Sequence, residues 1–329
     1  MMENHEILLR DLFESALKMY LSNDIKVSVC CFTYNHAPYL SKALDSVLSQ
    51  KTNFRYEIII GDDCSTDGSQ DIINAYAIKF PDLIKTIYQP VNSRGKKNFS
   101  DVYKSAEGQY VIALETDDYW TDPNKLQIQV DYLDRHPACI AVAHNCVVVD
   151  EHDRQLARKY PAIDQGVYRY KHFRKGLMPG QTTTVLYRNP KFVENLDMSL
   201  YNNPISGPGD SRRLFCLMTA GDVITLPYTM SAYRYVTSGG YSFSANHKRD
   251  DKSALLFFRE FQIYADKFTN KPMRLAADVR LMQVALGALK HRQIDLKEWI
   301  QYYRSCQFPF KALICAAAKI IQHKLNRNN

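Results

Sequence analysis

Between residues 26 and 149 the chain alternates apolar β-type runs with amphipathic segments, and this alternation leaves few folds open to it. Residues 26–32 (KVSVCCF), 56–60 (YEIII) and 109–114 (QYVIAL) are continuous runs, the pattern of strands buried on both faces. Residues 83–88 read as a further strand between them. Pro38 opens a helix whose Leu40, Ala43, Leu44, Val47 and Leu48 follow helical spacing. A second helix carries Ile72, Ile73, Tyr76, Ala77 and Phe80 and stops before Pro81. Residues 98–107 read as a third, with Gly108 as its C-cap, and Asp122-Pro123 is expected to cap and start a fourth. Repeated β-α-β units joined by short turns predict an α/β fold: a mostly parallel sheet wrapped by helices.

Such sheets bind ligands at the carboxyl ends of their strands. Three polar clusters occupy such ends: Thr33-Tyr34-Asn35, Asp62-Asp63 and Asp117-Asp118. One crevice could collect all three. Further on, residues 139–149, 181–187 (QTTTVLY) and 223–235 read as extended structure and 211–219 as a helix. Beyond about residue 250 the pattern is entirely helical.

Asp117-Asp118 are adjacent carboxylates at the end of a buried strand. Their mutual repulsion calls for an offsetting charge, which a hard divalent cation (Mn²⁺ or Mg²⁺) sharing a diphosphate's oxygens supplies. The bland alternative is a solvated helix cap. At Asp62-Asp63 a carboxylate could accept a hydrogen bond from a nucleobase, whereas Ser65 to Gly68 read as turn chemistry. Tyr34 could stack on a base or cover the sheet edge. The basic loop holding Lys96-Lys97 precedes a helix N-terminus, where phosphate is favoured. Asp210, in Gly207-Pro208-Gly209-Asp210, is either an N-cap or a general base for an acceptor hydroxyl.

Composition narrows the class. The 329 residues, 46% hydrophobic with a formal charge of +7, suit a globular chain with a phosphate-bearing partner. No apolar run reaches the about 18 residues of a membrane span. Residues 1–24 read as a short amphipathic helix and not a signal peptide. The eight cysteines show no metal or disulfide spacing, which suggests reduced thiols and a cytoplasmic setting. Acidic strand ends speak against nucleic acid. Residues 308–325 form an apolar helix in a stretch without acids after Glu298 but with Arg304, Lys311, Lys319, Lys324 and Arg327. It is either a packed terminal helix or a dock on the anionic inner face of a membrane.

Taken in order, VSVCCFTYNHAPYLSKALDSVLSQ, EIIIGDDCSTDGS, GQYVIALETDDYWTDPNKLQIQVDYL, PGDSRRL and SAYRYVTSGGYS resemble the family-2 inverting bacterial glycosyltransferases of GT-A fold, over roughly residues 26–240. The resemblance implies a nucleotide-sugar donor, of the UDP type, and a saccharide or lipid-linked saccharide acceptor in cell-surface polysaccharide synthesis. It implies Asp118 as metal ligand and Asp117 on the ribose or sugar side. Thr33, Tyr34 and Asp63 would meet the nucleoside, Lys97 and Arg234 would approach the diphosphate, and Asp210 would be the catalytic base. The organisation it implies is an N-terminal extension (1–24), a GT-A domain (25–245) and a helical region (246–329). A nucleotidyltransferase would need a glycine-rich loop where TYNHAP stands. A silent saccharide-binding module is the alternative, and Asp63, Asp118 and Asp210 speak against it.

Overall fold

The computed structural model describes residues 24–202, 209–236 and 250–325, with side chains to residue 319. The helix expected over 1–24 falls outside them but for its last residue. The strands β1 (Val27–Thr33), β2 (Tyr56–Asp62), β3 (Ile84–Tyr88) and β4 (Tyr110–Glu115) form the parallel half of one sheet, in the order β3-β2-β1-β4. Their crossovers are α1 (Ala37–Leu48), α2 (Ser69–Lys79) and α3 (Lys96–Ser105). The strands read as doubly buried because both faces are covered. Val27, Val29 and Cys31 point into a core with Leu40 and Leu44 of α1, whereas Cys30 and Phe32 join Val102 of α3 and the C-terminal helices. Each such aliphatic side chain contributes about 1.5–3 kcal/mol on burial.

The second half of the sheet is mixed. After β5 (Tyr119–Trp120) and α4 (Lys125–Arg135) come β6 (Cys139–Val149), β7 (Gly166–Tyr168), β8 (Leu186–Arg188) and β9 (Asp222–Arg234). β8 is wedged antiparallel between β4 and β6, β9 runs parallel to β6, and β5 and β7 pair antiparallel with β9. The helices α5 (Tyr170–Arg174), α6 (Ser199–Asn202) and α7 (Gly209–Leu217) lie in this half, followed by α8 (Asp251–Ala265), α9 (Lys271–Lys290), α10 (Leu296–Ser305) and α11 (Pro309–Leu325). α5, α8, α10 and α11 all pack on α9. α11 buries Ala312 and Ala316 and leaves Phe310 and Ile314 exposed. No described helix is long and apolar enough to cross a membrane, and all eight cysteines are free thiols.

Three local expectations are corrected. The strand expected over 181–187 is a 3₁₀ turn, Thr182–Thr184, before β8. There Gln181 Oε1 accepts from the Thr183 N–H at 2.7 Å and its hydroxyl at 2.8 Å, and these local bonds draw the backbone off the ladder. Gly108 is not a helix cap, because α3 ends at Ser105 with Ala106 as C-cap. It is glycine for close approach: a Cβ there would sit 2.5 Å from the Ser28 amide nitrogen. Finally, Asp122 does not cap α4. It accepts from the Asn124 N–H at 2.8 Å, and the helix begins at Lys125.

Candidate active site

Parallel register brings the three polar strand ends side by side. Thr33 pairs with Asp62 across β1–β2, and Phe32 with Glu115 across β1–β4. The loops beyond are cross-braced. Asn35, in the left-handed region (φ 54), accepts the Thr66 N–H through Oδ1 at 2.8 Å, and Asp67 accepts the Ala37 N–H at 2.9 Å. Thr33 is buried, its hydroxyl 3.0 Å from that of Thr116, which also meets His36 Nδ1 at 3.0 Å. The threonine thus forms part of the crevice floor, with the half-buried Tyr34 beside it.

Glu115, Asp117 and Asp118 form the centre of the crevice, one carboxylate oxygen of each lying within 4.8 Å of the others. Asp118 Oδ1 accepts from the Arg234 N–H at 2.7 Å and Oδ2 from Gln181 Nε2 at 2.8 Å. Burial, then Asp117 and Glu115, push Asp118 well above the usual carboxylate range. Burial, then Asp117 and Asp210, push Glu115 up to about 8. Three hard oxygen donors held this close, each Asp118 oxygen keeping a free lone pair, fit a divalent cation of the magnesium or manganese kind.

Asp210 sits in the first turn of α7, intermediate in exposure, with Oδ1 accepting from the Ser211 N–H at 2.6 Å. It lines a small cavity with Met178, Pro179, Gly180 and Arg213. Its charge acts on Glu115, so the fold brings the two within electrostatic range despite their separation in sequence. Two arginines fix its helix. Buried Arg212 donates to Glu260 of α8 at 2.6 Å, and Arg213 donates to the hydroxyls of Tyr187, at 2.7 Å, and Tyr103.

Other expected residues have different partners from those anticipated. Arg234 is buried, and its guanidinium serves protein groups, not an open diphosphate space. It donates to the Asp117 carbonyl at 2.9 Å, the Asp150 carbonyl at 2.8 Å and Asp153 Oδ1 at 2.7 Å, beneath the Tyr39 ring. It therefore clamps the Asp117-Asp118 turn. Asp63 accepts from the Ser93 N–H at 3.0 Å, the Ser93 hydroxyl at 2.7 Å and the Gly95 N–H at 2.8 Å, so it holds the basic loop. Lys97 is exposed and paired with Asp101 one turn along α3, away from the acidic cluster's contacts. Glu115, Gln181, Arg213 and Tyr160 were not anticipated. Tyr160 lies close enough to Asp210 and Glu115 for both charges to raise its hydroxyl further, beyond the effect of burial. Only Glu115, two residues before Asp117, carried a signal in the sequence.

Residues 28–193, half of the chain, match the family model for glycosyl transferase family 2. The chain belongs to that family. Mycobacterium tuberculosis Rv1520 is 35% identical to this family-2 member over 211 residues, 63% of this chain and 58% of that protein. The chain thus spans less than two thirds of the length of these mycobacterial relatives. Its fold resembles that of Staphylococcus aureus TarS 1–349 in complex with UDP-GlcNAc (TM-score 0.59, 18% identity, covering 91% of this chain and 89% of that one). It also resembles the Pyrobaculum calidifontis mannosyltransferase PcManGT in complex with GDP-Man and Mn²⁺ (TM-score 0.51, 18% identity, covering 95% of each).

Proposed function

We propose that this family-2 member transfers a glycosyl group from a nucleoside-diphosphate sugar to a saccharide or lipid-linked saccharide acceptor in cell-surface polysaccharide synthesis. The observation that carries this reading is the clustering of Glu115, Asp117 and Asp118 at the β4 end, with Asp210 of α7 in electrostatic range of Glu115. Asp118 and its neighbours would hold a divalent cation, which would neutralise negative charge on a departing diphosphate. Asp117 would face the sugar side, with Tyr34 and Asp63 at the nucleoside end. Asp210 would take the proton of the acceptor hydroxyl as that oxygen attacks the anomeric carbon, and the sugar would be inverted. The Arg234 clamp, with Gln181, keeps the Asp118 carboxylate aimed before any donor arrives. In this reading residues 25–245 form the catalytic part, 246–329 support it, and the work is done on the cytoplasmic side.

A panel of nucleotide sugars with Mn²⁺ or Mg²⁺, scored by nucleotide release, tests the reading. Asp118→Ala should abolish metal-dependent turnover, and full activity in that variant overturns the assignment. Asp210→Ala should leave donor binding intact and stop transfer; normal transfer places the base elsewhere. NMR of the product's anomeric centre decides inversion.

A further inference from the structure

We propose that the turn at Gly176 is an anion site for a phosphate-bearing ligand, held between Arg280 of α9 and Lys319 of α11. Gly176 ends the basic run 169–176 (RYKHFRKG) in the left-handed region, with φ +74. A Cβ placed on it would lie 2.9 Å from Arg280 Nη1 and 3.0 Å from Lys319 Nζ. Two cations from different helices therefore converge on one point over bare backbone. A side chain at residue 176 would fill it.

Among the described residues no carboxylate acts on either cation. Lys319 feels the charge of Arg280, and the Tyr168 hydroxyl acts on Arg280. Arg280 is fixed by neutral partners: Nη1 donates to Gln283 Oε1 at 3.0 Å, and the guanidinium lies 4.7 Å from the Phe258 ring centre. Burial and the neighbouring Arg280 push Lys319 down to about 8. Elsewhere, Arg212, Arg234 and Arg274 are buried with carboxylates beside them. The pair at Gly176 lacks this, and half-buried like charges need a counter-charge. An oxyanion offers several acceptors at once to an arginine fork and an ammonium. Lys171, Arg174 and Lys175, on the same short segment, would add long-range attraction.

The chain leads from Gly176 through Met178, Pro179 and Gly180, which line the cavity beside Asp210, to Gln181 on Asp118. A phosphate held at one end of this segment would lie a few residues along the chain from the cavity beside Asp210. The ligand chemistry is common to a soluble phosphorylated saccharide and a lipid headgroup. Anion binding here does not depend on the transfer reaction, so the two readings can fail separately.

The test uses the full chain in EDTA, which keeps phosphate from reaching the acidic cluster through a cation. Melting is followed in inorganic phosphate against chloride of equal ionic strength, and affinity is taken from ³¹P titration. Phosphate should raise the wild-type melting temperature. Lys319→Met and Arg280→Gln should each bind at least about tenfold more weakly, as for one lost charge-assisted contact. In chloride alone Lys319→Met should melt at or above wild type, because it removes an unneutralised charge. Co-sedimentation with phosphatidylglycerol vesicles, against phosphatidylcholine alone, separates the sources. Wild-type binding lost in Lys319→Met assigns a lipid headgroup; a phosphate response without vesicle binding assigns a soluble ligand. Equal phosphate affinity in all three proteins, or no response to phosphate or vesicles, overturns the proposal.

Discussion

Gln181→Glu isolates the electrostatics of the acidic cluster. The amide donates to Asp118 Oδ2 at 2.8 Å while its oxygen accepts from Thr183. A glutamate preserves the Thr183 contacts and sets a fourth carboxylate against Asp118. Without metal, the lost bond to a charged group costs about 1.5–3 kcal/mol. Further repulsion, up to about 4 kcal/mol for two unit charges at 4 Å in a partly screened site, is relieved when the pair shares a proton. At about 1.5 °C per kcal/mol for a chain of this length, melting in EDTA should fall by about 2–5 °C. A cation reverses the sign, because the added carboxylate attracts what the amide did not. Scanning fluorimetry with increasing Mn²⁺ should therefore show a larger rise for the variant than for wild type. If Mn²⁺ raises the variant by no more than wild type, the cluster is not a cation site. If the variant melts like wild type in EDTA, the Gln181–Asp118 bond contributes nothing.

Glu115, raised to about 8 when folded, binds a proton that the unfolded chain has already released above its ordinary range. Its contribution is therefore complete below about pH 4.5 and is lost as pH rises toward 8, with a limiting slope of about 1.4 kcal/mol per unit. Metal-free melting should fall across that interval, and Mn²⁺ should flatten the dependence; a pH series in EDTA and in Mn²⁺ checks both. Glu260→Ala removes the carboxylate that buried Arg212 donates to and should cost about 3–5 kcal/mol by urea denaturation. It should also lower kcat more than it raises the donor KM. Gly108→Ala forces a Cβ onto the Ser28 and Val27 backbone and should cost about 3 kcal/mol or more, or prevent soluble expression, whereas Gly68→Ala, with open space around it but φ +91, should cost only the backbone strain of about 1–2 kcal/mol.

The parallel half of the sheet was legible because β1, β2 and β4 are buried on both faces, and the crevice followed from the register of such strands. The span of β6, Cys139–Val149, matched to the residue. The 181–187 segment misled because β-type composition there competes with side-chain-to-backbone bonds made by Gln181 and the threonines. The aspartate cluster announced itself as charge where charge is costly. Gln181 and Arg213 did not, since an isolated amide or arginine acquires meaning only from tertiary neighbours. Arg234 and Asp63 were legible as polar groups near strand ends, but their partners were not. Local sequence shows that a polar group lies at a strand end, and the fold decides which bonds it makes.

The pair of arginines on α7 bears on how such a chain can change. Arg212 ties the helix to α8 in the helical region, while Arg213 ties it to tyrosines on the sheet side. The proposed base is thus aimed by two parts of the molecule at once, and neither can be exchanged as a cassette. A chimera importing a foreign helical region must bring a carboxylate to the Glu260 position, or Asp210 loses its bearing while the acidic cluster stays intact. New acceptor preferences in this lineage would then arise by paired substitution across the α7–α8 seam, not by wholesale grafting.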